Sequence, residues 1–141
     1  HERRFRRAAE GAVYLLAWVD GQAVGHVLVT PVSKYEVVRS QLGPFPEVNA
    51  LGVAAAYRRR GVARALMEAA LDTAAEMGQA RLGLAVEPDN DAAVSLYRTL
   101  GFRRHPSVLP VDVWSWVDDA GVEHVERDRC TYWSLRWVSV E

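Results

Sequence analysis

The chain has 141 residues, half of them hydrophobic, with 17 basic and 18 acidic side chains and a formal net charge of −1. That is enough for one domain, 1–141, with a real core, and near neutrality excludes a protein that coats nucleic acid, which needs a strongly basic face. Cys130 is the only cysteine, no Cys/His set has zinc spacing, and no apolar run approaches the ~20 residues of a membrane helix, so a soluble, cytoplasmic domain is expected, with no metal and no membrane partner.

Residues 2–10 are charged and read as the tail of a helix closed by Gly11. Val13–Val19 is apolar and β-prone, Asp20-Gly21 is a hairpin turn, and residues 22–32 form the returning strand, ended near Pro31. Residues 33–46 are polar and hold Gly43, Pro44 and Pro46, so a mobile loop is expected there, at one edge of a substrate cleft. Glu47–Val53 resumes the sheet.

Beyond Gly61, Val62, Leu66, Ala69, Ala70, Thr73, Ala74 and Met77 recur near a 3.6-residue period, and Gly78 stops that helix. Residues 80–86 read as a buried strand, Asn90 as a cap, and Ala93, Leu96, Tyr97 and Leu100 as one face of a short helix ending at Gly101. The order strand, helix, strand, helix, strand is an α/β unit with locally parallel pairing. A Trp-rich strand follows at Val111–Val117, then a turn at 118–121, a short strand at 122–125 and a long one at 131–140, an antiparallel end to the sheet.

Chemistry concentrates between residues 51 and 70. An apolar strand, a tight turn and a helix start follow one another, so the first N–H groups of the helix lack intrahelical partners and form an anion site. Arg58, Arg59, Arg60 and Arg64 stand ready to neutralise a pyrophosphate, Gly61 permits close backbone approach, and Val62 and Ala63 open the helix with small apolar residues.

The spacing Arg58-x-x-Gly61-x-Ala63, followed by Asn90-x-x-Ala93-x-x-Leu96-Tyr97 and Gly101-Phe102, resembles the GNAT superfamily of acetyl-CoA-dependent N-acetyltransferases. The resemblance runs from about residue 47 to 102 and implies an α/β fold: a mixed, mostly antiparallel sheet with a parallel pair at the cofactor cleft, and helices on both faces. The strand and helices with which the family normally begins are largely missing here. It further implies acetyl-CoA as co-substrate, a pantetheine arm along the backbone of Leu51 and Val53, and a strand bulge, which Gly52 would tolerate.

By the same resemblance Glu47 is a general-base candidate, against the plainer reading of a surface carboxylate after Pro46. Tyr97 is the candidate acid for the departing thiolate, against that of a core aromatic at helical spacing. Asn90 is a helix cap, a contact to the pantetheine arm, or both. His1, His26, His105 and His124 are scattered and read as structural or solvated. Trp114, Trp116, Trp133 and Trp137 offer either core packing, a dimer seam, or an aromatic wall beside acidic residues such as Asp112 and Asp128 that draws in a cationic amine. The implied activity is acetylation of a primary amine of a small molecule or peptide by direct attack; the alternative is a non-catalytic acyl-CoA-binding sensor or interaction module. A homodimer is a further expectation.

Overall fold

The computed structural model describes residues 2–7, as backbone, and 11–138. Among the described residues, nine strands and three α-helices follow in the order β1 (Glu2–Arg7), β2 (Val13–Val19), β3 (Gln22–Thr30), α1 (Glu36–Leu42), β4 (Glu47–Val53), α2 (Val62–Glu76), β5 (Arg81–Val86), α3 (Asp91–Leu100), β6 (Arg103–His105), β7 (Val111–Val117), β8 (Glu123–Arg129) and β9 (Thr131–Arg136), with a 3₁₀ turn at Ala55–Tyr57. Seven strands make the main sheet in the order β1-β2-β3-β4-β5-β9-β6, and β7 and β8 pair only with each other. Within the main sheet β4 and β5 are the parallel neighbours and the other pairs are antiparallel.

Period-two and period-3.6 apolar patterns account for the core. Asp20 and Gly21 both take positive φ, at 50° and 78°, the turn that matches the twist of a two-residue hairpin. On one face, Val27, Val29, Leu82 and Leu84 meet Leu66, Met67 and Ala70 of α2, together with Tyr97 of α3 and Phe102. Gly25 is where α2 comes nearest: a methyl there would stand 2.9 Å from Leu66 and 3.0 Å from Val62. On the opposite face a smaller cluster of Val38, Phe45, Val108 and Tyr132 lies against α1. The expected α/β sheet with helices on both faces is the fold observed.

Several local expectations give way. Residues 2–7 are a strand on the free edge of β2, not a helix tail; a six-residue charged stretch has too little periodicity to choose, and an open sheet edge chooses for it. The loop expected at 33–46 contains α1, whose Val38 is fully buried while Gly43, at φ 98°, ends it; packing sustains a helix too short to stand alone. The strand expected at 122–125 is β8, four residues farther on at its end, and β9 stops at Arg136 rather than 140. The hairpin β7–β8 leaves the main sheet instead of extending it, and the short β6 fills the edge place.

Candidate active site

Parallel pairing of β4 and β5 is confined to Glu47↔Gly83 and Val48↔Leu84. The reason lies one strand away. Along β3 the register runs Leu28↔Ala50 and then Val29↔Val48, so Asn49 is an inserted residue, a β-bulge that bends β4. Its side chain donates to Thr30 Oγ1 at 2.6 Å, which fastens the kink. The bulge thus sits at Asn49 and Ala50, not at Gly52. Gly52 answers another need: a methyl there would lie 2.6 Å from the His26 ring.

Beyond the kink the strands separate around a cleft of 270 Å³ whose walls include Asn49, Leu51, Ala85, Asn90, Ala93 and Tyr97. Leu51, Asn90, Ala93 and Tyr97 were all singled out from sequence, and the fold brings them together. Asn90 caps α3, its Oδ1 accepting from the Ala93 N–H at 3.2 Å. Tyr97 is almost wholly buried, edge-tilted against Phe102 with ring centroids 5.9 Å apart, and desolvation pushes its phenol up to about 12.

The arginine loop lies past the end of β4. Gly61 takes the left-handed conformation, φ 79°, and α2 begins at Val62 with no side-chain cap on its first N–H groups. Arg59 also takes positive φ, at 62°. Arg58, Arg59, Arg60 and Arg64 are exposed, and Ala63 is partly covered. Arg60 rests over Tyr57 at 5.3 Å, Arg58 Nε reaches the Val53 carbonyl at 3.4 Å, and Arg64 stands 4.0 Å from Glu68. An uncapped helix start beside a left-handed glycine and four cations fits a diphosphate. Val53 itself borders a separate hollow with His26 and Gly52, not the cleft.

Glu47 is not in the cleft wall. It is fully buried on the α1 side, where its carboxylate accepts from Ser33 Oγ at 2.5 Å, the Lys34 N–H at 3.1 Å and Tyr132 Oη at 2.9 Å. Burial raises its pKa, and the three donors oppose that rise. The plainer sequence reading of a surface carboxylate fails, because β4 runs through the middle of the sheet.

Four lining residues carry no sequence motif. Lys34 and Asp112 pair across the cleft mouth at 3.1 Å, and Tyr35 and Cys130 stand nearby. Burial, with Asp112 second, raises the Cys130 thiol pKa, so it holds its proton. Asn49 had a signal, a lone amide inside an apolar strand, and Asp112 had one as part of the acidic set beside the tryptophans; Lys34, Tyr35 and Cys130 come from distant connecting segments and had none. Trp133 is buried in the core, whereas Trp114 and Trp116 are 46% and 44% exposed on the hairpin. Their indole N–H groups donate to Asp128 at 2.7 Å and Glu126 at 3.3 Å. By strand alternation they share a face with Asp112. Among the described residues no group of three or more His, Cys, Asp and Glu side chains could hold a metal, and no helix is long and apolar enough to cross a membrane. His1 and residues 139–141 lie outside the described residues.

A family model described as the acetyltransferase (GNAT) family matches residues 1–102. N-acetyltransferase 8 of Mus musculus is 30% identical over 117 residues, 83% of this chain and 49% of the relative. N-alpha-acetyltransferase RimI of Mycobacterium tuberculosis is 39% identical over 95 residues, 58% of this chain and 56% of the relative. The chain spans about half the length of these curated relatives. A Salmonella typhimurium protein, yncA, solved with its cofactor acetyl-CoA, matches in fold with a TM-score of 0.63 at 19% identity, over 93% of this chain and 68% of that one. With the family model covering most of its length and the kinked-strand cleft and arginine loop in the expected places, the chain belongs to the acetyltransferase (GNAT) family.

Proposed function

We propose that this domain transfers an acetyl group from acetyl-CoA to a primary amine of a small molecule or peptide by direct attack. The observation that carries the reading is the divergence of β4 and β5 after Val48↔Leu84, which opens a cleft with Tyr97 in its wall and leads to an uncapped helix start among arginines. In this reading the backbone of Leu51 and Val53 with Asn90 and Ala93 receives the pantetheine arm, and Arg58–Arg64 with the α2 N-terminus receives the diphosphate. The amine nitrogen bonds the acetyl carbon, the carbon–sulfur bond breaks, Tyr97 Oη gives its proton to the thiolate, the amine's surplus proton leaves to solvent, and Tyr97 regains a proton from solvent.

Glu47 takes a different part from the general base its position suggested. With three donors and no exposure, it serves as a positioning residue that fastens the Ser33–Lys34 segment and Tyr132 behind the cleft. The acceptor meets the hairpin face of Asp112, Asp128, Trp114 and Trp116, which suits a cationic amine. The opposite hairpin face, with Val113, Val117 and Val125 each at least half exposed, meets a second copy of the chain. Sedimentation as a clean monomer at working concentration would remove that assembly. Cys130, a free buried thiol, suits the reducing cytoplasm.

The reaction is tested by thiol release from acetyl-CoA against a panel of amines, with Tyr97→Phe as control. Release with one amine class, slowed in the control, supports the enzyme. Tight acetyl-CoA binding with no release for any amine would favour the non-catalytic acyl-CoA sensor.

A further inference from the structure

At the far end of β5 from the cleft, strand pairing sets like charges directly opposite one another. Arg81 pairs with Arg136, and Arg103 pairs with Ser134, two residues along β9. Directly opposed residues share a face, so three guanidinium groups, Ser134 and His105 border one recess of 470 Å³. No carboxylate lines it among the described residues. Like charges placed opposite each other destabilise a sheet, and an anion between them reverses the sign.

The base of the recess is ordered. Arg81 lies over the Phe45 ring at 4.2 Å and gives Nε and Nη2 to Ser134 Oγ at 3.2 and 3.1 Å. His105 Nε2 is 2.7 Å from the same hydroxyl and 3.4 Å from Arg81 Nη2. A neutral hydroxyl thus occupies the place where a half-buried guanidinium ordinarily meets a carboxylate. Burial, and then the neighbouring charge, lowers the pKa of both Arg81 (Arg136 beside it) and His105 (Arg81 beside it), as expected for a positive site that lacks its counter-charge.

We propose that this recess binds a phosphate-bearing small molecule, its oxyanion held by Arg81, Arg103 and Arg136 with Ser134 and His105 at the base. The volume falls within the roughly 300–1,000 Å³ of small-molecule pockets. The site is separate from the cleft: β5 runs from Arg81 to Val86, roughly 16 Å at strand rise, the two share no lining residue, and none of Arg58, Arg59, Arg60 and Arg64 lines the recess. It does not depend on the proposed acetyl transfer.

The test titrates the protein with inorganic phosphate and, separately, glycerol phosphate at constant ionic strength, reading heat and the His105 ring resonances. The Arg103→Gln/Arg136→Gln variant alters two exposed side chains and leaves the core intact; Arg58→Gln/Arg60→Gln controls for the donor loop. Saturable binding that moves the His105 signals and weakens about tenfold or more in the first variant, as expected for lost charge-assisted bonds, but not in the second, supports the site. The tighter of the two probes names the source of the phosphate. No binding above a chloride control, or binding lost only in the donor-loop variant, overturns it.

Discussion

Burial holds the Tyr97 phenol at about 12, roughly two units above its ordinary value. Against a free thiol near 8.5, proton transfer from it is uphill by about 3.5 units, or about 5 kcal/mol. In the proposed transfer, burial beside Tyr97 also raises the thiolate's own proton affinity, so Tyr97 would contribute positioning in the wall rather than acidity. Tyr97→Phe is expected to lower kcat by about a hundredfold with acetyl-CoA affinity unchanged, measured by steady-state kinetics and direct binding. Because the phenol keeps its proton until pH approaches about 12, the kcat profile has no falling limb from Tyr97 between pH 7 and 10. Glu47 is raised by burial, so its folded state prefers the proton. Stability tied to that group is largest below the unfolded carboxylate pKa of 4.5 and declines as pH rises through the folded value. Glu47→Gln sets an amide N–H against the Lys34 N–H, costing about 1–3 kcal/mol in denaturant unfolding. It keeps the rising limb of kcat/KM against pH; loss of that limb would restore the general-base role.

At the scale of elements, the turn before α2 rests on one residue. Gly61 has φ 79° and open space where a methyl would go, so Gly61→Ala costs about 1 kcal/mol through backbone strain alone. Calorimetry against acetyl-CoA should show weaker binding, with the melting temperature lowered by only about 2–5 °C. Gly83 is the contrasting case. A methyl there would collide with Tyr132 Oη and lie 2.7 Å from Phe45, disturbing the group that holds Glu47. Gly83→Ala should therefore lower the melting temperature clearly, by an amount consistent with the roughly 1–3 kcal/mol of an overpacked core.

For the molecule as a whole, the hairpin β7–β8 is a closed excursion. The Cys130 N–H donates to the Pro110 carbonyl at 2.8 Å, so the stem's two ends already touch. Replacing residues 111–129 by a two-glycine bridge is expected to leave thermal unfolding and acetyl-CoA binding near those of the parent, while turnover of cationic amines falls sharply. Unchanged turnover would remove the hairpin from the acceptor site. The arginine turn, the caps at Asn90 and Gly101 and the strands β2 to β5 were legible in the sequence because each is written in neighbouring residues, as periodicity, turn chemistry or a helix start. Glu47 was not, since its burial depends on Ser33 and Tyr132 arriving from 14 and 85 positions away.

The family, the glycine–arginine turn before α2 and the order of most elements can be read from the chain's residues, since local propensity and spacing decide those. Tertiary structure alone decided where β4 bends, because the bulge at Asn49 exists only in its register with β3. It also decided that β7 and β8 leave the sheet, and that Arg81, Arg103 and Arg136 converge. Strand pairing joins residues far apart in the chain, and charge, burial and pKa follow from who is paired with whom.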